Sequence, residues 1–175
     1  DGRMVEVSIT GREGTVGIAA LYQPESRIAN CVQVTQPGSV LKIDRATIKK
    51  IGAIYPQLLM HLHRGLDQYI RQISQKAVCN MYHSVAERFC TWLLMLQDRT
   101  GNQNLKLTHE QIARTLGVYR PSVTCIALEM KKNKLIEYSR GRIAICDRER
   151  IEEIACNCYA ELGDLSLSGD SPNHH

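Results

Sequence analysis

The stretch THEQIARTLGVYRPSVT, residues 108–124, decides how the C-terminal half of the chain folds. Thr108 followed three residues later by Gln111 is typical of a capped helix start, and Gly117 fits a tight turn with a positive φ. Ala113 is small where a second helix would cross the first. The positions that must be apolar to pack two helices together are Ile112, Leu116, Val118, Val123 and Ile126. Residues 108–130 therefore predict a helix-turn-helix rather than a helical hairpin without a DNA-binding role.

The front of the second helix carries the predicted DNA contacts. A helix-turn-helix presents the N-terminal residues of its second helix to base edges in the major groove. The candidates for this role are Tyr119, Arg120, Pro121, Ser122 and Thr124. Arg120 is the best base reader because a guanidinium can pair with O6 and N7 of guanine. Thr108, at the start of the first helix, is expected to cap it and to leave backbone N–H groups facing a phosphate.

A β-hairpin is predicted directly after this motif. Residues 135–138 and 143–145 are mostly apolar and flank Ser139-Arg140-Gly141-Arg142, a short basic loop that contains glycine. Such a hairpin is the wing of a winged helix-turn-helix. Arg140 and Arg142 at its tip are expected to meet backbone phosphates, which add affinity but little sequence information.

The charge of the chain is concentrated in the same region. Residues 105–145 hold eight basic and three acidic residues, a net +5, which leaves −1 for the rest of a chain whose total is +4. A basic segment of this kind indicates a polyanion such as double-stranded DNA, although a solvated basic face would look the same. The ordinary composition, with 43% hydrophobic and 23% charged residues, and the lack of a long apolar run favour a soluble cytoplasmic protein without membrane contact.

The middle of the chain, from about Asp44 to Asn80, is predicted to be helical. Pro56 suits the first turn of a long helix. Apolar residues then recur at alternating steps of three and four, a narrow seam formed by Leu59, Leu62, Leu66, Tyr69 and Ile73. This seam would either pack against the protein's own sheet or form a dimer interface with a second copy of the helix.

The N-terminal part of the chain is predicted to be β. Val5, Val7 and Ile9 alternate with polar residues, and residues 32–34 and 40–43 resemble two further short strands. We expect a small antiparallel sheet that begins in mid-sheet. The predicted domains are a partial β-roll over 1–55, a dimerisation helix over 56–82 and a winged helix-turn-helix over 83–175. The last opens with a capping box, Ser84 to Glu87, and an apolar run over 89–96, followed by a polar loop over 98–104.

The seven cysteines are scattered and indicate reduced thiols. None forms a Cys-x-x-Cys pair, which zinc sites and redox motifs usually contain. Cys156 and Cys158 are the one pair of interest, but the sequence identifies no further ligands beside them. We therefore predict no metal and no cofactor.

These segments, in this order, resemble the catabolite activator protein/Fnr (Crp/Fnr) family of bacterial regulators. Residues 108–124 are similar to the DNA-binding signature of the family, and Tyr55-Pro56-Gln57-Leu58-Leu59 resembles the entry to its dimerisation helix. The resemblance implies an α+β fold with a partial antiparallel, cyclic-nucleotide-binding-like β-roll, a long dimerisation helix and a C-terminal winged helix-turn-helix. It places Arg120 at the base-reading arginine of the family, whereas Cys125 stands where a second arginine is common.

The resemblance also suggests where an effector would bind. Residues 14–32 resemble the phosphate-binding cassette for cyclic nucleotides, which implies contacts from Gly17 and Arg27, and Ser74 matches a position that reaches the base. Ile18 occupies the place of a glutamate that holds the ribose hydroxyl in proteins that bind cyclic AMP. Cyclic AMP is therefore disfavoured, and the effector is unassigned.

The function predicted from these features is a sequence-specific transcription regulator that binds a palindromic operator as a homodimer, with RNA polymerase as a further candidate partner. The alternative is an effector-binding module whose winged helix contacts protein. An enzyme is disfavoured. His61, His63, His83 and His109 could be grouped with Cys79 or Cys90, but no phosphate loop or nucleophile motif accompanies them.

Overall fold

The computed structural model describes residues 5–12, 14–22 and 30–167. The described residues form eight helices and three strands. In chain order these are α1 (Ala19–Tyr22), α2 (Arg45–Ile54), α3 (Pro56–Tyr82), α4 (Val85–Thr100), β1 (Asn104–Lys106), α5 (His109–Leu116), α6 (Arg120–Lys132), β2 (Ile136–Ser139), β3 (Arg142–Ile145), α7 (Arg148–Ile154) and α8 (Cys158–Leu167).

Helix α4 is the centre of the C-terminal core. Ser84 caps it with the predicted capping box, in which Ser84 and Glu87 each bond the backbone N–H of the other. Every residue from Phe89 to Leu96 is buried. A helix that is apolar on all sides needs neighbours on all sides, and α5, α6, α7 and α8 pack against α4. The predicted capping box at Ser84 is confirmed.

The sheet is antiparallel with the strand order β1-β3-β2. The predicted hairpin is confirmed as β2 and β3, with Ser139 opposite Arg142. The prediction of a polar loop over 98–104 was wrong at both ends, because α4 continues to Thr100 and β1 begins at Asn104. Strand β1 has three residues and one inward side chain, Leu105, which is too short a stretch to show an alternating pattern.

The predicted helical segment in the middle of the chain is confirmed, but it consists of two helices. The Asp44 side chain caps α2, and Tyr55 separates α2 from α3. The break has a local cause, since a residue that precedes proline avoids the helical backbone conformation, and Tyr55 has φ −122° and ψ 83°. Pro56 then starts α3, which runs for 27 residues.

The apolar seam of α3 is covered in part by the chain itself. Leu62 is buried, and the other four seam residues are half-buried. Helix α2 lies close against the start of α3, where a Cβ on Gly52 would come within 2.9 Å of the Leu59 side chain. Ile18 is buried and lies near Gly65 of α3. The start of the seam is therefore covered within the chain, by helical and irregular segments rather than a sheet.

The predicted N-terminal strands are not formed. In the described residues between Val5 and Ile43 the structure contains no strand. The apolar side chains that suggested strands at 32–34 and 40–43 are exposed, with Val40 at 89% and Leu41 at 103%. A stretch of alternating apolar and polar residues forms a stable strand only if another strand pairs with it. These residues have no such partner in the described part of the chain. The predicted α+β fold class is nevertheless confirmed, because the protein combines helices with an antiparallel sheet. That sheet lies in the C-terminal half of the chain.

One N-terminal residue does reach the edge of the sheet. The Gln36 side-chain amide donates to the carbonyl of Lys106 at 2.9 Å, and its oxygen accepts from the Lys106 N–H at 3.3 Å. This side chain satisfies the outer edge of β1 in the way that a neighbouring strand would. Residue 36 is thus held by a side-chain contact instead of strand pairing.

Candidate DNA-binding surface

The turn between α5 and α6 has the geometry that residues 108–124 predicted. Thr108 caps α5, since its hydroxyl accepts from the Gln111 N–H at 3.2 Å and its own N–H donates to the Gln111 side chain at 2.8 Å. Gly117 ends α5 with φ +66°, a left-handed conformation that favours glycine. Its N–H bonds the end of α5, and the Val118 N–H donates to Ala113 O at 2.9 Å. These bonds fix the angle at which α6 begins.

Helix α6 is anchored on one side only. Val123, Ala127 and Met130 are spaced by four and three residues, so they lie on one face, and all three are buried. At its front, Tyr119, Arg120, Pro121 and Ser122 are exposed. The Arg120 guanidinium makes no hydrogen bond or ion pair with any residue that the structure describes. The predicted base-reading side chains thus stand at the surface, except for Thr124.

Thr124 is already engaged inside the protein. It is half-buried, and its hydroxyl lies 3.1 Å from the carbonyl of Arg120 and 3.0 Å from Nδ1 of His109. A hydroxyl has a single proton to donate. Donation to the Arg120 carbonyl leaves Thr124 free to accept from His109, so its main contacts are with α5 and α6.

His109 is a residue of this surface that the sequence reasoning missed. Its ring stacks on Tyr138 of β2, with ring centroids 4.2 Å apart and planes inclined by 21°, while Nδ1 faces Thr124 of α6. Burial lowers the pKa of His109, and the nearby positive charge of Arg120 lowers it further. The ring is therefore favoured in its neutral form and joins α5, α6 and the wing. Its place next to the helix cap was the only sequence signal for this role.

The tip of the wing lies beside the start of α5. Arg140 and Gly141 have φ +47° and +74°, the pair of positive values found in the tightest two-residue hairpin turns. The Leu107 N–H donates to Gly141 O at 2.9 Å, and a Cβ on Gly141 would lie 3.5 Å from the methyl group of Thr108. Exposed Arg140 and Arg142 therefore sit near the N-terminus of α5, a location suited to phosphate.

Helix α6 is also tied to the wing at its other end. The Lys131 ammonium lies 3.2 Å from a carboxylate oxygen of Glu137 and donates to the carbonyl of Tyr138 at 3.4 Å. Together with the His109–Tyr138 stack, this contact sets the position of β2 relative to α6. The basic side chains of helix and wing are consequently presented as one surface.

Two of the three predicted effector residues, Gly17 and Ser74, lie in the described part of the chain. Gly17 precedes α1 and has φ +83°, and Ser74 is exposed on α3. Arg27 lies outside the described residues. The site predicted for an effector therefore stays a prediction.

The N-terminal segment touches the DNA-binding half through Glu6. Its carboxylate accepts from the indole N–H of Trp92 at 2.8 Å and lies 3.6 Å from the Lys76 ammonium of α3. Burial raises the pKa of Glu6, and the positive charge of Lys76 partly offsets this rise. Burial lowers the pKa of Lys76. Thr115 of α5 also donates to Glu6, at 3.5 Å. One side chain thus links α3, α4 and α5.

None of the helices in the described parts of the chain combines the length and the apolar character that crossing a membrane requires.

Comparisons with known proteins agree with this geometry. A family model described as a Crp-like helix-turn-helix domain matches residues 87–154. The chain is 25% identical over 158 residues to the CRP-like cAMP-activated global transcriptional regulator of Mycobacterium tuberculosis, an overlap of 86% of this chain and 70% of that protein. The match includes the helix-turn-helix, the wing and most of what precedes them.

Solved structures show the same fold. FixK2 from Bradyrhizobium japonicum has a TM-score of 0.59 at 17% identity, covering 65% of this chain and 60% of that one. A CRP/FNR-family transcriptional regulator from Thermus thermophilus has a TM-score of 0.53 at 25% identity, covering 57% of this chain and 55% of that one. The matched region is thus little more than half the length of these two structures.

Proposed function

Because the chain belongs to the Crp/Fnr family of transcription regulators, we propose that it reads a palindromic operator in duplex DNA as a homodimer. The observation that carries this proposal is the front of α6, where Arg120 and Ser122 are exposed while Val123 beside them is buried. A helix that is anchored along one face and bare at its N-terminal end is suited to enter a major groove.

We assign base reading mainly to Arg120, with Ser122 beside it. A guanidinium that pairs with both acceptors of a guanine is worth about 1–3 kcal/mol of discrimination against other bases. Tyr119 and Pro121 offer exposed apolar surface for a thymine methyl group. Thr124, whose hydroxyl is held by α5 and α6, supports the helix rather than reading a base.

Phosphate contacts are assigned to the wing and the start of α5. Arg140 and Arg142 are exposed, and neither guanidinium makes a hydrogen bond or ion pair within the described part of the chain. Thr108 begins α5 beside them, and the N-terminus of a helix attracts an anion through its free N–H groups. These contacts would position the protein on DNA without selecting a sequence.

The proposed dimer forms through α3. Since the chain itself covers much of the predicted seam, the exposed edge next to it is the part available to a second copy. Ile70 and Met81 are 54% and 75% exposed and lie about three helical turns apart, on the same face. Half-buried Leu66 and Ile73 border them. Pairing through this edge would cover apolar surface and set two recognition helices about 34 Å apart.

An effector would act by shifting the orientation of the two recognition helices. The contact of Glu6 with α3, α4 and α5 supports such a route, because a change in the N-terminal region would be transmitted to α5, the first helix of the DNA-binding motif. The mycobacterial relative is named as cAMP-activated. We do not extend cyclic AMP to this chain, since Ile18 is a buried apolar residue beside α3 and offers no ribose contact.

The experiment is a selection of bound sequences from a random DNA pool, followed by binding measurements on the selected site and on random DNA. We expect an inverted repeat with half-sites about one helical turn apart. Arg120→Ala should weaken binding to the selected site far more than to random DNA. Arg142→Ala is the matched control, because loss of a phosphate contact should weaken both to a similar degree.

Two further variants test the dimer in the same assay. Ile70→Glu places a charge on the proposed interface and should give a monomer that has lost its preference for the inverted repeat. His61→Glu, nine residues earlier and so on the opposite side of α3, should leave the dimer intact. Equal loss on both DNAs for Arg120→Ala would remove that residue from base reading. No protection of DNA at any salt concentration would favour the alternative, a winged helix that contacts protein.

A further inference from the structure

Three cysteines and one histidine meet where α3 ends. Cys79 lies in the last turn of α3 and His83 directly follows the helix, while Cys158 is the first residue of α8 and Cys156 precedes it by two. One ligand atom from each of these four residues lies within 4.8 Å of those of the other three. In the sequence, Cys156 and Cys158 are close together, but no further ligands are apparent beside them. The partners come from a helix more than 70 residues earlier in the chain.

Two of the separations between these atoms match a site for a single metal ion. Cys79 Sγ and Cys156 Sγ are 3.5 Å apart, and Cys158 Sγ is 3.4 Å from Nδ1 of His83. In a tetrahedral zinc site, with Zn–S bonds of about 2.3 Å and Zn–N bonds of about 2.0–2.1 Å, neighbouring ligand atoms are roughly 3.5–3.8 Å apart. The two measured separations are therefore close to the edges of such a tetrahedron.

We propose that Cys79, His83, Cys156 and Cys158 bind one zinc ion in a closed, structural site. Thiolates and imidazole are the ligands that zinc prefers, and three cysteines with one histidine are a common structural set. Four protein ligands fill a tetrahedral zinc site and leave no position open to solvent or substrate, and the three cysteines among them are buried. An iron–sulfur cluster spreads its cysteine ligands around several metal atoms, whereas these four ligand atoms all lie within 4.8 Å of one another.

Neighbouring polar groups support two of the sulfur ligands. The Gln75 side-chain amide donates to Cys158 Sγ at 3.0 Å. The hydroxyl of buried Thr91 accepts from the Cys156 N–H at 3.1 Å and lies 3.0 Å from Cys156 Sγ. Since its oxygen already accepts, its proton is free to point toward that sulfur. Donors of this kind stabilise thiolate charge and orient metal ligands.

The proposed ion would join two parts of the molecule. Cys79 and His83 belong to the junction at which α3 passes into α4, and Cys156 and Cys158 belong to the connection between α7 and α8. Zinc bound by all four would fasten the C-terminal helices to α3 and hold the direction in which α4 leaves it. Any effect of zinc on DNA binding rests on the function proposed above, whereas zinc binding itself does not.

A second, independent contact keeps α7 and α8 in place without the ion. Arg148 donates to Asp98 at 2.9 Å and to the Tyr159 hydroxyl at 2.6 Å, and that hydroxyl donates to Asp98 at 2.8 Å. This network ties both helices to the end of α4. We therefore expect variants of the metal ligands to remain folded at moderate temperature, so that their loss of zinc can be measured.

The test uses the full chain, purified under reducing conditions and without chelators from cells supplied with zinc. Elemental analysis should find about one zinc ion per chain, the stoichiometry of a single four-ligand site. Exchange into Co²⁺ should produce the strong visible absorption of tetrahedral, thiolate-bound cobalt. Cys156→Ser and His83→Asn should lose the zinc and change that spectrum. Cys146→Ser, an exposed cysteine outside the cluster, is the matched control and should keep both.

A milder variant covers the case in which a ligand variant does not fold. Gln75→Ala removes only the donor to Cys158 and should weaken zinc binding by roughly 10-fold or more, as is typical for residues that support metal ligands. The proposal is overturned if the reduced, folded wild-type chain holds less than about a tenth of an ion and gives no tetrahedral cobalt spectrum. A Cys79–Cys156 disulfide in protein taken from reducing cells would overturn it as well, since that bond consumes two ligands.

Discussion

The DNA-binding half and the N-terminal segment are both rich in apolar residues, yet they differ in what those residues contact. From Phe89 to Leu96 every side chain is buried, whereas Val34, Val40 and Leu41 lie open to solvent. The apolar positions of α4 are covered by α5, α6, α7 and α8, all of which lie in the C-terminal half of the chain. Those in the N-terminal segment would need distant strands. The comparison shows that a hydrophobic pattern produces structure only where the chain supplies the surface that completes it.

The largest expected difference between the two regions is in their response to the same deletion of side-chain volume. Leu93→Ala removes a fully buried side chain of α4 and should reduce the free energy of unfolding by about 2–5 kcal/mol. Leu41→Ala makes the same chemical change at a fully exposed position and should cost less than about 0.5 kcal/mol. Urea denaturation of both variants measures the difference. A comparable loss for Leu41→Ala would mean that the N-terminal segment is covered in solution.

A smaller difference is expected for helix caps, which occur in both regions. Thr108→Ala removes the cap of α5 and should reduce the free energy of unfolding by about 1 kcal/mol. Thr108→Asn keeps a good capping side chain and should retain most of the stability. Asp44→Ala removes the equivalent cap of α2, and its effect on global unfolding should be smaller because α2 has only one buried residue. If Asp44→Ala proves the more damaging change, α2 belongs to the cooperative core.

The smallest effect is one of pH, and it has opposite signs in the two regions. The pKa of His109 is lowered in the folded protein, so the unfolded chain binds more protons, and stability is lost as pH falls below about 6.5. The pKa of Glu6 is raised, so its folded form binds more protons, and stability is gained as pH falls through that raised pKa.

Thermal denaturation between neutral and mildly acidic pH separates these two contributions. His109→Gln should make stability less sensitive to acid just below pH 6.5, because the group that titrates is gone. Glu6→Gln keeps an acceptor for Trp92 and should make stability more sensitive to acid at lower pH, since the favourable protonation is lost. If His109→Gln has the same pH dependence as the wild type, the ring is not held in its neutral form.

Several features were predictable from the sequence because their contacts are local. The caps at Ser84 and Thr108 each depend on a residue three positions away, and the turn at Gly117 depends on its own backbone angle. The wing follows from Arg140-Gly141 between two short apolar stretches. The role of His109 was missed because Thr124 and Tyr138, which surround its ring, are 15 and 29 residues away in the sequence.

The sequence by itself determined the helix-turn-helix, its exposed arginine and the break before Pro56, since each depends on interactions within a turn or two of the backbone. Only the tertiary structure decided that the N-terminal alternation would not become a sheet, and that Cys79 and His83 would meet Cys156 and Cys158. Both outcomes depend on which distant segments come together. The spacing of residues along the chain does not show which distant segments meet. Closing a long loop costs entropy, and contacts made throughout the fold must offset that cost.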